Sequence, residues 1–146
     1  MATTAQTRTP AHLWIVGILA LCWNALGCVD YAMTNFKNPA WLAKMPPDQI
    51  AFMGTLPAWL TAFWAIGVWG GLAGAILLLI RSRYAVWALG LSFLGAMVGI
   101  GYQLFVATMP ASMKTGAGAY MPWVVIIIAG VLYWYAMNAE KKGLLR

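Results

Sequence analysis

The side chains able to do acid–base, nucleophilic or metal chemistry are few and far apart. The 146 residues hold three acids (Asp30, Asp48, Glu140), one histidine (His12) and two cysteines (Cys22, Cys28). Acid–base catalysis needs groups within hydrogen-bond reach of one reacting atom. Acids this dispersed give no paired carboxylates, and there is no Ser/His/Asp set, phosphate loop or metal-ligand cluster. The chain therefore reads as non-enzymatic, with no catalytic residues and no metal. Cys22 and Cys28 lie six positions apart, which is neither a redox CxxC nor a zinc spacing. Both are expected to be small, buried, apolar side chains. His12 stands beside Trp14 at the start of an apolar stretch. A lone histidine cannot form a bis-histidine haem site, so an interfacial histidine is expected. Its only metal-type alternative is a single axial bond to a haem or pigment.

Asp30 is the most informative acid. It closes Leu13–Tyr31, the one apolar stretch with both an amide, Asn24, and a carboxylate. An ionisable group in a membrane is a functional candidate by default. Asp30 stands within a turn of the helix end, where it can reach water or pair with Lys37 or Lys44. A structural anchor is the first expectation, and a ligand, proton or partner contact the second. Asn24, near mid-bilayer, is expected to make an interhelical hydrogen bond worth about 0.6–2 kcal/mol.

Lipid must be the solvent for the elements that hold these residues. Only 8% of the chain is charged and 63% is hydrophobic, whereas soluble domains carry about 25% charged residues. Four spans are predicted in a single 1–146 transmembrane domain: about 13–32, 57–80, 84–109 and 120–138. An interfacial segment of about 39–56 follows the first. Leu13–Tyr31 would reach about 28 Å as a helix, close to the bilayer core. It is also longer than the apolar region of a signal peptide, so it reads as a permanent span. The third span is longer than needed, and tilt or an extension past the lipid is expected.

The net charge of +6 sits beside the spans, as a topology signal rather than a nucleic-acid footprint. Arg8, Arg81, Arg83, Lys141, Lys142 and Arg146 fall on one side, and Lys37, Lys44 and Lys114 on the other. That asymmetry puts both termini, including the polar tail Met1–Pro10, in the cytoplasm. The fold expected is an all-α, up-down-up-down four-helix transmembrane bundle.

Small residues mark where the helices should meet. Gly17, Ala20, Asn24, Gly27 and Tyr31 share one face of the first span. Gly67, Gly71 and Gly74 in the second and Gly95 with Gly99 in the third are spaced for close helix contact. In the first connection, Asn38-Pro39 reads as an N-cap with proline at N1, and Pro46-Pro47-Asp48 restarts a helix. Ile50, Met53 and Leu56 would then face the membrane surface. The Glu140–Gly143 segment puts lysines and a C-cap glycine at the end of the last span. Spans one and three both run outward, and span two starts from that side. Asp30, Tyr31, Thr61, Tyr102 and Gln103 therefore form a candidate polar cluster at the outer level.

Several segments carry a resemblance. They are Trp23-Asn24-Ala25-Leu26-Gly27, Asp30-Tyr31, Met33-Thr34, Leu56-Pro57-Ala58-Trp59, Trp64–Gly70, Tyr135-Ala136-Met137 and Gly143–Arg146. Together they resemble a family of small four-span inner-membrane proteins of proteobacteria, often labelled sugar transporters. The resemblance covers nearly the whole chain and implies the topology, but it brings no site residues with it. Three functions are left to weigh. The first is an accessory or scaffold subunit of a larger inner-membrane complex, in contact with lipid and with other subunits or itself. The second is an oligomeric transporter of a small, sugar-like or proton-coupled solute. The third is binding of a quinone, pigment or haem against the aromatic clusters, although no cofactor is predicted.

Overall fold

Runs of apolar residues broken only by short polar segments leave the backbone one economical choice in lipid, the helix, which satisfies its own N–H and C=O groups. The computed structural model describes residues 8–146; the first seven residues of the polar tail lie outside it. Six helices follow in order: α1 (Ala11–Asn35), α2 (Pro39–Leu42), α3 (Pro47–Thr55), α4 (Ala58–Leu79), α5 (Tyr84–Phe105) and α6 (Ala117–Lys141). A single 3-10 turn, Ala111–Met113, precedes α6. Helices α1, α4, α5 and α6 are each long and apolar enough to cross a membrane. They form an up-down-up-down four-helix bundle, and the chain is a multi-pass membrane protein. One end of the bundle carries the Arg81–Arg83 turn and the last residues of the chain (the tail end). The other carries α2, α3 and the 3-10 turn (the loop end).

The spans pack in chain order, α1 on α4, α4 on α5 and α5 on α6, with the α4–α5 seam the most extensive. Helix α4 is apolar on every side, as a helix flanked by two others requires. Glycines let the backbones meet. A Cβ on Gly95 would come within 2.8 Å of the Phe63 carbonyl oxygen and 2.9 Å of the Gly67 nitrogen. Ser92 of α5, a residue no sequence signal singled out, donates across this seam to the Gly67 carbonyl at 2.5 Å. Between α5 and α6 the fit is ring on glycine. Tyr133 covers Gly90, Phe93 covers Gly130, and the two rings stack with centroids 6.3 Å apart.

Helix α1 buries Leu13, Gly17, Ala20, Asn24 and Cys28 against α4. The small-residue face expected from the spacing is therefore the packed one. Gly17 leaves room for Leu79, and Gly27 meets Val68. Three details of packing differ from expectation. Asn24 donates to the Ala20 carbonyl of its own helix at 2.8 Å, not across the interface. Its oxygen instead occupies the place where a Cβ on Gly71 would stand. The backbone groups of Gly71 belong to the α4 ladder, so the carboxamide turns back to its own i−4 carbonyl. Cys28 is buried, but Cys22 is exposed, because six positions on a helix rotate the two thiols onto different faces. Gly99 meets no atom within 4 Å of its would-be Cβ. It lies one turn past the closest approach at Gly95 and is buried, but no neighbour there requires the absence of a side chain.

The buried core gathers at the tail end, where Leu13, Leu78, Leu89, Leu132, Ala136 and Leu145 interlock. Helix α6 buries no residue before Leu132. The tail end is also closed by backbone chemistry. Gly143 takes φ +71°, and the Gly143 and Leu144 amides donate to Glu140 and Ala139. This two-bond helix stop turns the chain back on itself and delivers Leu145 into the core. Helix α4 ends in the same motif with Arg81 at φ +61°, a conformation that costs a non-glycine residue about 1–2 kcal/mol. Arg81 is held there from outside the helix. Its carbonyl accepts from the Arg146 amide at 2.6 Å, and Arg146 accepts from the Arg83 amide at 2.8 Å. The Arg81 Nε donates to the Leu144 carbonyl at 2.8 Å. A turn read only as a charge signal is thus the seat of the last residues.

Helix α5 stops at Phe105, short of the expected 109. The Ala107 amide closes back on the Tyr102 carbonyl, and Pro110 disfavours helix at the residue before it. The apolar run continues, but the helix does not.

The Asn24–Gly71 contact sets a test of the α1–α4 seam. Gly71→Ala forces a methyl into the Asn24 carboxamide and is expected to destabilise the protein by about 1–3 kcal/mol. Adding Asn24→Ala removes the obstacle and should restore part of that loss, measured as thermal unfolding in detergent. A Gly71→Ala protein as stable as the parent would contradict this packing.

Candidate functional site

The five residues expected to form one polar cluster are divided among separate arrangements. Asp30, half-buried near the end of α1, accepts from the Trp41 indole N–H at 3.1 Å and from the Thr34 hydroxyl one turn along at 3.4 Å. Trp41 is placed by the α2 start that the sequence predicts. Asn38 caps that helix by accepting from the Trp41 amide at 3.1 Å, and Pro39 fills N1. Lys44 does not pair with Asp30. Its ammonium sits over the Trp41 ring, 5.6 Å from the centroid. The indole thus carries a cation on its face and a carboxylate at its edge. Lys37 takes φ +54° where α1 ends, so its role at that point is backbone geometry.

Tyr31 faces α4 instead, edge-on to Trp64 at 5.1 Å and Trp69 at 6.4 Å. Tyr102 packs edge-on against Trp59 at 5.4 Å. Thr61 and Gln103 are half-buried, and among the described residues no hydrogen bond joins any two of the five. Matching depth along three helices places residues at one level; rotation about each helix axis decides whether they meet.

Tyr102 does line a cleft that the sequence did not reveal. The space, about 550 Å³, opens at the loop end between α3 and the non-helical stretch after α5. Its lining includes Asp48, Phe52, Thr55, Tyr102, Thr108 and Pro110. That volume falls in the range of small-molecule sites. The α3 residue turned inward is Phe52, which is buried, whereas Ile50 is exposed. Ile50, expected to face the membrane surface, is turned away from that packed face. The cleft exists because α5 stops at Phe105 and Ala107–Pro110 curl over it. Hydropathy alone reads those residues as span.

Asp48 ties the two sides together. One carboxylate oxygen accepts from the Gln49 amide at 2.9 Å, and the other from the Ser112 amide at 3.3 Å across the cleft mouth. The Ser112 hydroxyl beside it does most to hold the Asp48 carboxyl below its ordinary value of 3.8; partial loss of water opposes this, and the Ser112 and Gln49 amides add to the lowering.

His12, at the tail end, meets the Tyr135 hydroxyl through Nδ1 at 2.5 Å, with the rings edge-to-face at 5.8 Å. Among the described residues no three His, Cys, Asp or Glu side chains gather as a metal-ligand group. The chain matches no protein-family model, no curated protein and no solved structure.

Two outcomes test these arrangements. Trp41→Phe keeps the ring but removes the donor to Asp30, and a hydrogen bond to a charged group contributes about 1.5–3 kcal/mol. Hydrogen exchange across 36–46 should accelerate while the spans stay protected; unchanged exchange would mean that Asp30 does not anchor α2. Asp48 has a lowered folded pKa, so its tether is fully present above its unfolded value. It is lost only as pH falls through the lower folded value. The Ser112 amide resonance should titrate with a midpoint below 3.8; a midpoint at or above that value would contradict the contact.

Proposed function

We propose that this membrane protein is a non-enzymatic accessory or scaffold subunit of a larger complex in a bacterial inner membrane, with both termini cytoplasmic. The observation that carries this reading is the sparse packing of the loop-end half of α6, the least buried of the four spans. Before Leu132 the helix has no fully buried residue; Tyr120, Ile127 and Val131 are exposed, and Trp123 is about half exposed beside Phe105. The opposite half of the same helix is locked into the core. One end holding the fold while the other offers large aromatic and branched side chains is what a helix needs to join a neighbouring subunit. The basic residues beside the spans support the orientation. The resemblance to small proteobacterial inner-membrane proteins supports the location.

An oligomeric small-solute transporter is the second reading, favoured by the cleft around Asp48 and Tyr102. It is weaker because Asp30 is occupied by Trp41 and Thr34. Asn24, at the depth where a coupling acid would serve, is bonded to Ala20.

Purification in mild detergent followed by native mass spectrometry separates the readings. A species containing the 15.9 kDa chain with a different membrane protein is expected, and it should be lost when Trp123 and Ile127 are both changed to Ala. A monomer in every mild detergent would overturn the subunit reading. A homo-oligomer whose vesicles take up solute along a proton gradient, and lose uptake in Asp30→Asn, would replace it with transport.

A further inference from the structure

At the tail end, where the first turn of α1 meets the last turns of α6, a groove of about 210 Å³ is lined by His12, Trp134, Tyr135, Asn138, Lys142 and Leu144. Both helices are candidate spans that end here, so the groove lies at the level of a membrane boundary. The helices do not pack as a pair, and the His12–Tyr135 contact bridges them. We infer that this groove is a binding site for the phosphate headgroup of an anionic phospholipid.

Charge, donors and size all point the same way. Lys142 lines the groove, and Arg81, Arg83, Lys141 and Arg146 share its end of the bundle, against Glu140 as the one acid there. A basic pocket between spans at such a boundary attracts acidic headgroups. The Tyr135 hydroxyl and Nδ1 of His12 share one hydrogen bond across the groove, and the Lys142 ammonium and Asn138 amide bring N–H donors to its lining. Trp134 is 61% exposed and brings an amphipathic ring to the same level, as interfacial tryptophans do. The volume is below the roughly 300 Å³ at which sites for whole small molecules begin. It suits a headgroup whose acyl chains lie outside, along the seam that α1 and α6 leave open. The inference is independent of the subunit reading and concerns the opposite end of α6.

The test uses the full chain, delipidated in detergent and titrated with phosphatidylglycerol, phosphatidylcholine or inorganic phosphate, with bound ligand counted by native mass spectrometry. Saturable binding of phosphatidylglycerol in preference to phosphatidylcholine is expected. Lys142→Gln should weaken it about fivefold, the effect of one lysine near an anionic headgroup. Lys141→Gln, next in sequence but outside the groove, should leave it unchanged. Circular dichroism matching the parent establishes that both variants fold. Equal affinity for the two lipids, or equal loss in the two variants, would overturn the site in favour of diffuse charge. Binding of inorganic phosphate as tight as that of the lipid would overturn the lipid as occupant.

Discussion

Close backbone approach between α4 and α5 is the contact on which the remaining structure rests. Lipid tails are as apolar as the helices, so burying leucine gives these spans little reason to associate. Dispersion and short polar contacts must do it, and both fall steeply with distance. Gly67 and Gly95 bring the backbones together, and Ser92 adds a hydrogen bond at that point. With α5 fixed on one side, the other faces of α4 receive α1, where Gly17 admits Leu79 and Gly71 admits Asn24. Helix α4 touches both neighbours, whereas α1 and α6 are joined mainly through side chains at one end.

The bundle is consequently unequal at its two ends. The tail end has the leucine-and-alanine core, two helix stops of the same design, and the last residues bonded onto the Arg81–Arg83 turn. The loop end buries Phe52 and Leu60, carries indole contacts at Trp41, Trp59 and Trp64, and opens into a cleft. The difference follows from the connections. A short turn forces α4 and α5 together at the tail end. The connections at the loop end are long enough to form structure of their own, and they leave the early part of α6 without a fully buried residue.

The polar side chains divide in the same manner. Asn24 and Ser92, both buried, are consumed by helix packing. Asp30 and Asp48, at the loop end, are consumed by ordering connections, one through an indole and the other through a backbone amide. The bare face of α6, the cleft and the tail-end groove are the surfaces the fold itself leaves unfilled.

Sequence alone determined what depends on composition and on neighbours along the chain. The four spans follow from apolar length, the packed face of α1 from 3-4 spacing, and the α2 cap from Asn38-Pro39. The α3 restart follows from Pro46-Pro47, and the helix stop from Gly143. Each needs only local backbone and solvation physics. What the tertiary structure decided depends on rotation between helices and on contacts distant in sequence. Asp30 meets Trp41 rather than a lysine, and the five outer polar residues do not assemble. Cys22 points outward, Gly99 has open space where a side chain would stand, and Arg81 receives the last residues of the chain. Helix α5 ends four residues before its apolar run does, because a backbone amide closes the helix and a proline follows; hydropathy measures preference for lipid and is blind to both. A helical side chain changes direction by about 100° per residue, so small differences in helix rotation that no single sequence encodes locally choose its partner.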